Sequence, residues 1–529
     1  MSKVIEQPFR PFIPYSLCVL LFVCVWLQVF IARNATLDTI LLQILGSCMA
    51  AALGLWYVKY AHTSLMTVGV VLLSLVIILI RSSFIYVSQM TSVDLLESTA
   101  IHDFELVVSR DLVYKNHAWT GQANVMYQGR CIGSVGLHAK EPFLRETHLC
   151  CEGRFTQYKD KEFLEEQFKR GVLGSIQITK VNSKTYGEGI IGEVAQFREN
   201  CISQLQLEQS FGRALVACGL CAYRPSLYSF NIPRIFMRCG LMHLIAISSC
   251  HMVILSAFID AFLKKLTIKP LLRGVVNLFL LSSYALFCGL PASAMRAILL
   301  VEQKYVMQYV GRKNHTLSAV SIVALFMLCI DPQLSVNIAF TLSLACIFGM
   351  NIYGGLAQYY AKIAFHISGY GIIQKILRKP FSDVRNTMCA TTVAQLSCLP
   401  ISCMYFGHFS LLAPLSSALI TSLFSLLSLF GIGAIALCWF KPAQDVAFCL
   451  VDFLGQFIET LTSFLSERSF ASVSLTDMSW IVSLLVFAAM VALYVFWPKG
   501  KRVVLSGICL MVFMLILGLS IYWKFFSPT

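Results

Sequence analysis

Charge is scarce in this sequence: Asp, Glu, Lys and Arg make up 13% of 529 residues while 57% are hydrophobic, and the mean hydropathy is +0.73. A chain this poor in charge cannot cover its apolar surface as a soluble globule, which leaves lipid as its main solvent. No Gly-x-x-x-x-Gly-Lys-Ser/Thr occurs, so any energy from nucleotide hydrolysis must come from another protein. His243 and His251 have no third ligand at convincing spacing, which argues against a metal, and no oriented acid or nucleophile elbow accompanies Ser248. The chain is therefore expected to be neither an enzyme nor the holder of a cofactor. Inverted internal repeats are also missing, which disfavours a secondary transporter of a small solute; a membrane enzyme acting on lipid through Ser248 and His251 is the other alternative.

What is present is a succession of apolar runs. A bilayer core takes roughly 20 apolar residues per helix. Ile13 to Ala32, Thr39 to Val58 and Leu65 to Val87 fit, as does a long series from Arg238 to Trp523, and the whole suggests about twelve spans. The first run is long and is followed by two more, so it is expected to stay in the mature protein. The fold class is a polytopic α-helical membrane protein with an inserted small β-barrel (OB-like) external domain. The expected units are a three-helix transmembrane segment over 1–88, the barrel over 89–192, an amphipathic helical connector over 193–235 and a transmembrane channel domain over 236–529.

The formal charge of +14 speaks mostly of topology, because residues 101–200 carry equal numbers of acids and bases and the excess lies in the membrane part. Short loops rich in Lys and Arg stay cytoplasmic. Lys3 and Arg10 place the amino terminus inside, Lys59 marks the loop between the second and third spans, and the segment from Gln89 to Pro233 is delivered outside. A fourth span, Arg238 to Leu263, brings Lys264, Lys265, Lys269 and Arg273 back inside, together with Arg312 and Lys313 and a later loop holding Lys375, Arg378, Lys379 and Arg385. Leu411 to Phe440 fits one tilted span or two short ones, and Val446 to Leu465 is amphipathic, with Asp452, Gln456 and Glu459 on its polar face. Either choice leaves Lys499, Lys501 and Arg502 inside and the carboxyl terminus external. The expected address is an inner (plasma) membrane.

Within the insert, Phe104 to Val113, Trp119 to Tyr127, Cys131 to Ala139, Glu146 to Phe155 and Ser175 to Val181 alternate apolar and polar residues, as strands do. With a helical piece at Lys161 to Lys169 they suit an OB-type barrel, a fold that binds single strands on aromatics in a basic groove. Its neutral charge favours a scaffold or gate equally. Between Glu193 and Leu227, Arg198, Glu199 and Arg213 punctuate a helical pattern that reads as a surface helix. Most of the 20 cysteines, such as Cys18, Cys24, Cys48, Cys329, Cys346 and Cys403, sit in apolar runs as small hydrophobes. Cys131 with Cys150 or Cys151 is the candidate disulfide if the insert faces an oxidising compartment.

Polar residues at membrane depth are costly and mark function by default. The richest segment is Met242-His243-Leu244-Ile245-Ala246-Ile247-Ser248-Ser249-Cys250-His251. It resembles the His-Leu-Leu-Ala-Ile-Ser-Gly-Leu-His signature of the ComEC-type DNA internalisation proteins of natural transformation, with Ser249 and Cys250 in place of Gly and Leu. Further motifs similar to that family follow in order: Gly289-Leu290-Pro291 with Arg296-Ala297, Asp331-Pro332, Phe340-Thr341-Leu342-Ser343, Gln395 through Pro400, Phe406-Gly407, and Leu411 to Leu415. Upstream, Lys161 to Ile176, with Gly171-Val172-Leu173-Gly174, is similar to the end of the family's OB-like domain. Two departures stand out: no His-x-His-x-Asp-His nuclease motif occurs, and Ser417 and Ser422 stand where relatives carry Asn and Pro.

The resemblance implies a channel subunit passing single-stranded DNA into the cytoplasm during DNA uptake, working in the lipid bilayer with a cytoplasmic helicase or ATPase and an external DNA receptor or nuclease. A passage for a polyanion needs a wet lumen lined by hydroxyls, amides and few cations, and His243, Ser248, Ser249, His251, Arg296 and Gln395 are of that kind. The plain alternative is that Ser248 and His251 only hydrogen-bond neighbouring helices and that Arg296 snorkels to an interface.

Overall fold

The computed structural model describes residues 65–98, 103–115, 117–158, 163–164, 167–168, 170–187, 189–205, 207, 210–245, 249–311, 316–364, 372–406, 408–437, 439–468, 472–474, 486 and 489–490. The apolar runs at 13–32, 39–58 and 503–523 lie outside them, as do Ser248, Gly407, most of 161–169 and the cations at 3, 10, 59, 312–313 and 499–502.

The first described helix, α1 (Leu65–Ser98), is apolar through most of its length and runs directly to the barrel. There the sequence switches to a period of two, and five strands follow: β1 (Asp103–Lys115), β2 (Ala118–Tyr127), β3 (Arg130–Ala139), β4 (Thr147–Thr156) and β5 (Val172–Tyr186). They close a barrel in the order β1-β2-β3-β5-β4, antiparallel except where β3 runs parallel to β5. Alternate residues point inward, so Phe104, Leu106, Val108, Val125, Val135, Leu137, Leu149 and Ile176 fill the interior. Val93 and Leu96 from the end of α1 complete the same core, so the helix closes one end of the barrel. Ser92 Oγ fixes that junction by donating to the Ile132 carbonyl at 2.9 Å. Cys131 and Cys150 are both free and exposed. They belong to β3 and β4, which are not neighbours in the barrel, so the expected disulfide is not made.

Two helices then lead from the barrel, α2 (Ile190–Gln204) and α3 (Phe211–Cys221), where one surface helix was expected. Every residue of α3 is buried. Arg198 and Arg213, expected on a polar surface, are inside ion pairs instead. Arg213 holds Asp452 through two hydrogen bonds of 2.9 and 2.7 Å and lies 4.5 Å over the Phe448 ring. Arg213 is largely buried while Asp452 keeps contact with the surface, and two donors of the guanidinium reach the carboxylate.

The helical part continues with α4 (Ser226–Ser229), α5 (Ile232–Cys239), α6 (Met242–Ile245), α7 (Ser249–Lys265), α8 (Pro270–Cys288), α9 (Ala292–Tyr309) and α10 (Thr316–Ile330). After a 3-10 turn at Pro332–Val336 come α11 (Ile338–Ala364), α12 (Ile372–Phe406), β6 (His408–Ser410), α13 (Ala413–Ala436), α14 (Lys441–Ser466) and β7 (Ser472–Ser474), which pairs with β6. Among the described residues, five stretches are long and apolar enough to cross a membrane by length and composition: Val76–Leu96, Pro270–Cys288, Ile338–Ala361, Ala413–Ala436 and Lys441–Ser466.

One open choice is resolved and two expectations change. Leu411 to Phe440 contributes one helix, and the amphipathic stretch after it is a full-length helix of its own whose polar face is occupied partly by the Asp452 pair. The cationic loop around Lys375 to Arg385 is helical, being the first third of α12. The span expected from Arg238 to Leu263 does not start as one helix with Arg238: α5 ends at Gly240, and α6 and α7 follow that turn on either side of 246–248, which lie outside the described residues.

Candidate functional site

The turn at Gly240 immediately precedes the motif-bearing segment and has a local cause. α5 ends at Gly240, whose φ of 71° is left-handed. The Gly240 amide bonds Met237 and the Leu241 amide bonds Phe236, at 3.1 and 2.8 Å, the paired closure that a glycine after a helix provides. A Cβ at Gly240 would lie 2.3 Å from the Cβ of Ala413, so space as well as torsion demands glycine. The carbonyls freed at the end of α5 find hydroxyl donors: Ser410 Oγ bonds the Arg238 carbonyl at 2.8 Å and Ser416 Oγ bonds the Cys239 carbonyl at 2.6 Å. Gln395 Nε2 in turn donates to the Ser410 carbonyl at 2.7 Å. Gln395 on α12, β6, the start of α13 and the turn before His243 are thus one hydrogen-bonded unit, joining the first and last family-like motifs.

His243, in the short α6 that follows the turn, is exposed at the surface of the protein. Ser249 and His251 lie in the first turn of α7 by their backbone. Pro400, five residues beyond Gln395, removes the helical donor for the Leu396 carbonyl within α12.

Arg296 is elsewhere. It is completely buried on α9, and its Nη2 donates to Ser343 Oγ on α11. Two family-like motifs again meet, but as a sealed contact: in this conformation Arg296 does not face a wet surface. Phe340, one turn before Ser343, is also fully buried and packs with Val320, Leu328 and Leu344. Asp331 accepts from the Gln333 amide at 3.0 Å and so caps the turn that begins at Pro332.

A third cluster joins barrel and helices, and sequence reasoning did not single it out. Asp111 on β1 takes both ends of the Arg198 guanidinium, at 3.0 and 2.5 Å, and the Arg145 amide at 2.9 Å. The Asp111 and Arg198 side chains are 6% and 3% exposed. Burial works against the Arg198 charge, but the hydrogen bonds and charge of Asp111 outweigh it and raise its pKa. Arg198 Nε also reaches the Cys221 carbonyl at the end of α3, at 2.7 Å. Arg145, between β3 and β4, reaches the Phe287 carbonyl at the end of α8, at 2.9 Å. Both cations therefore sit where a helix C-terminus presents unpaired carbonyls and negative potential. The motif glycine Gly289 explains itself here. Its φ is 88°, and a Cβ would fall 1.9 Å from Arg145 Nη1, so the absent side chain is the socket for that guanidinium. Pro291, the N-cap of α9, starts the next helix directly afterwards. Among the described residues no three His, Cys, Asp or Glu side chains cluster as a metal site would require.

A closed barrel joined to several helices apolar and long enough to span a membrane, with a glycine turn held by serines and a glutamine, is the arrangement of a multi-pass membrane protein by length and composition. The chain belongs to the competence protein family, of the ComEC type: the family's model matches residues 226–500, more than half of the sequence and every motif from the α5 turn onward. Membership makes it a membrane protein of DNA uptake. Neither the curated proteins nor the solved structures include a match to this chain.

Proposed function

We propose that the protein is a channel subunit that passes single-stranded DNA across the bacterial inner membrane, with the barrel external and the Lys264 to Arg273 loop cytoplasmic. The observation that carries this reading is the glycine turn at Gly240, which ends α5 just before the family motif and is tied by hydrogen bonds to later motifs. Backbone that leaves helical geometry at membrane depth is tolerated only where protein buries it or water reaches it, and interrupted helices mark transport sites. Here the turn is followed by the exposed His243 and held by Gln395, Ser410 and Ser416. Hydroxyls and amides with few fixed cations suit a polyanion in transit, since a dense positive lining would trap it.

The barrel's strand order and its single parallel pair support an OB-type domain standing at the entrance. The chain itself carries out no catalysis in this reading; strand separation and energy come from a cytoplasmic helicase or ATPase, and presentation from an external receptor or nuclease. Opening the path requires Arg296 to leave Ser343 or the helices carrying them to separate. The experiment is uptake of labelled DNA protected from external nuclease, in cells carrying His251→Ala or Arg296→Gln at normal membrane abundance. Loss of protected DNA in both supports the path; normal uptake in both removes these residues from it.

A further inference from the structure

Two half-buried cysteines meet where α11 packs on α12. Cys398 Sγ, on α12, donates to the Leu342 carbonyl of α11 at 3.3 Å. Leu342 stands four residues before Cys346, and in a helix the carbonyl four residues back is the one a short side chain itself reaches. The Cys398 sulfur therefore lies beside the Cys346 side chain, and the two thiols are within hydrogen-bonding reach of each other. Neither is in a disulfide. One turn further along α11 the helices touch, since a Cβ on Gly349 would collide with Ser397 Oγ and lie 3.8 Å from Ser397 Cα. A glycine at a crossing allows such an approach. It is also what a disulfide requires, because the bond spans α-carbons roughly 4.4–6.8 Å apart.

We infer that Cys346 and Cys398 are a site of reversible oxidation by hydrogen peroxide, and that their disulfide pins α11 to α12 and holds the path closed. One sulfur, having given up its proton, attacks a peroxide oxygen. The sulfur–oxygen bond forms, the oxygen–oxygen bond breaks and water leaves, with sulfur oxidised and the peroxide reduced. The second sulfur then attacks the sulfenic sulfur, so that the disulfide forms, the sulfur–oxygen bond breaks and a second water leaves. A small thiol reverses the step by exchange. Peroxide is small and uncharged, which suits a half-buried pair between apolar helices. The position gives the bond its effect. Ser343, the partner of Arg296, is one turn before Cys346, and Gln395, which holds the Ser410 carbonyl, is one turn before Cys398. Separating α11 from α9 takes Ser343 away from Arg296, and a covalent tie to α12 restrains α11.

The disulfide is independent of the channel reading, whereas its effect on the path rests on that reading, and two measurements tell them apart. Full-length protein in phosphatidylcholine nanodiscs is treated with hydrogen peroxide, blocked with N-ethylmaleimide and digested without reduction for mass spectrometry. A peptide pair linked through Cys346 and Cys398 should form, disappear on dithiothreitol, and be missing from Cys346→Ser and from Cys398→Ser. Linkage of either cysteine mainly to another one overturns the site; so does a pair that stays reduced while the exposed Cys131 and Cys150 oxidise. In cells, a peroxide pulse should lower protected DNA uptake by about fivefold or more in the wild type and by less than about twofold in either serine variant, with dithiothreitol restoring the wild type. A linked peptide with undiminished uptake, or an equal loss in the serine variants, overturns the closure. If His251→Ala and Arg296→Gln both take up DNA normally while the peroxide effect still needs both cysteines, the thiol pair stands and the internal path falls.

Discussion

At the residue scale, the firmest feature is the buried Asp111 and Arg198 pair. Removing one partner of such a pair strands an uncompensated charge and typically costs 3–5 kcal/mol, roughly, whereas replacing both with apolar groups of matched volume costs far less. Arg198→Ala is expected to lower the thermal unfolding temperature of the detergent-solubilised protein, read by tryptophan fluorescence, by several degrees or more. The double variant Asp111→Leu, Arg198→Met should recover most of that loss; if it melts no higher than the single variant, the pair is not an energetic unit. This feature was not legible in the sequence. Arg198 and Arg213 sit at positions where a helical pattern alternates with apolar residues, and solvent-facing and ion-paired arginines look alike until the partner, far along the chain at Asp111 or Asp452, is known. Arg296 was recognised by its motif, but nothing in its neighbours foretold that Ser343 would seal it.

At the scale of elements, the barrel was readable almost strand for strand, because a half-buried sheet writes a period of two that few other structures imitate. Its closure by α1 was not, since Val93 and Leu96 belong to a run that reads simply as membrane helix. This gives a prediction about fragments: residues 90–187 should be more resistant to urea by circular dichroism than residues 103–187, which expose the apolar end that α1 covers. Equal midpoints would mean that the helix end contributes nothing to the barrel. The α5 turn was missed for the converse reason. A hydropathy window averages over 238–263 and sees one apolar run, while the turn at its start depends on a single left-handed glycine and on serines more than 170 residues away. Gly240→Ala must either force a strained torsion or push α13 aside, so protected DNA uptake should fall at least tenfold with the protein still in the membrane. Unchanged uptake would show that the turn is dispensable. The cationic stretch at 375–385 was assigned to a loop on charge alone, yet Lys and Arg are good helix formers, and α12 simply extends through it.

At the scale of the whole molecule, topology rests on the sign of loop charge, and thiol chemistry tests it. Cys131 and Cys150 are exposed on the barrel, whereas Cys151 is buried and its thiol is pushed up to about 12, first by burial and then by Cys150. A membrane-impermeant maleimide should label variants retaining only Cys131 or only Cys150 in intact cells freed of their outer layers, and leave one retaining only Cys151 unlabelled. Labelling of the first two only after the membrane is opened would invert the orientation.

The socket at Gly289 has a consequence for how such proteins can be recombined. Because the Arg145 guanidinium occupies the volume that any other residue's β-carbon would take, barrel and hairpin fit each other as key and lock rather than as two parts on a tether. A foreign barrel grafted onto these helices would inherit the empty notch without the cation that fills it, and the graft would have to import Arg145 and Asp111 along with the strands.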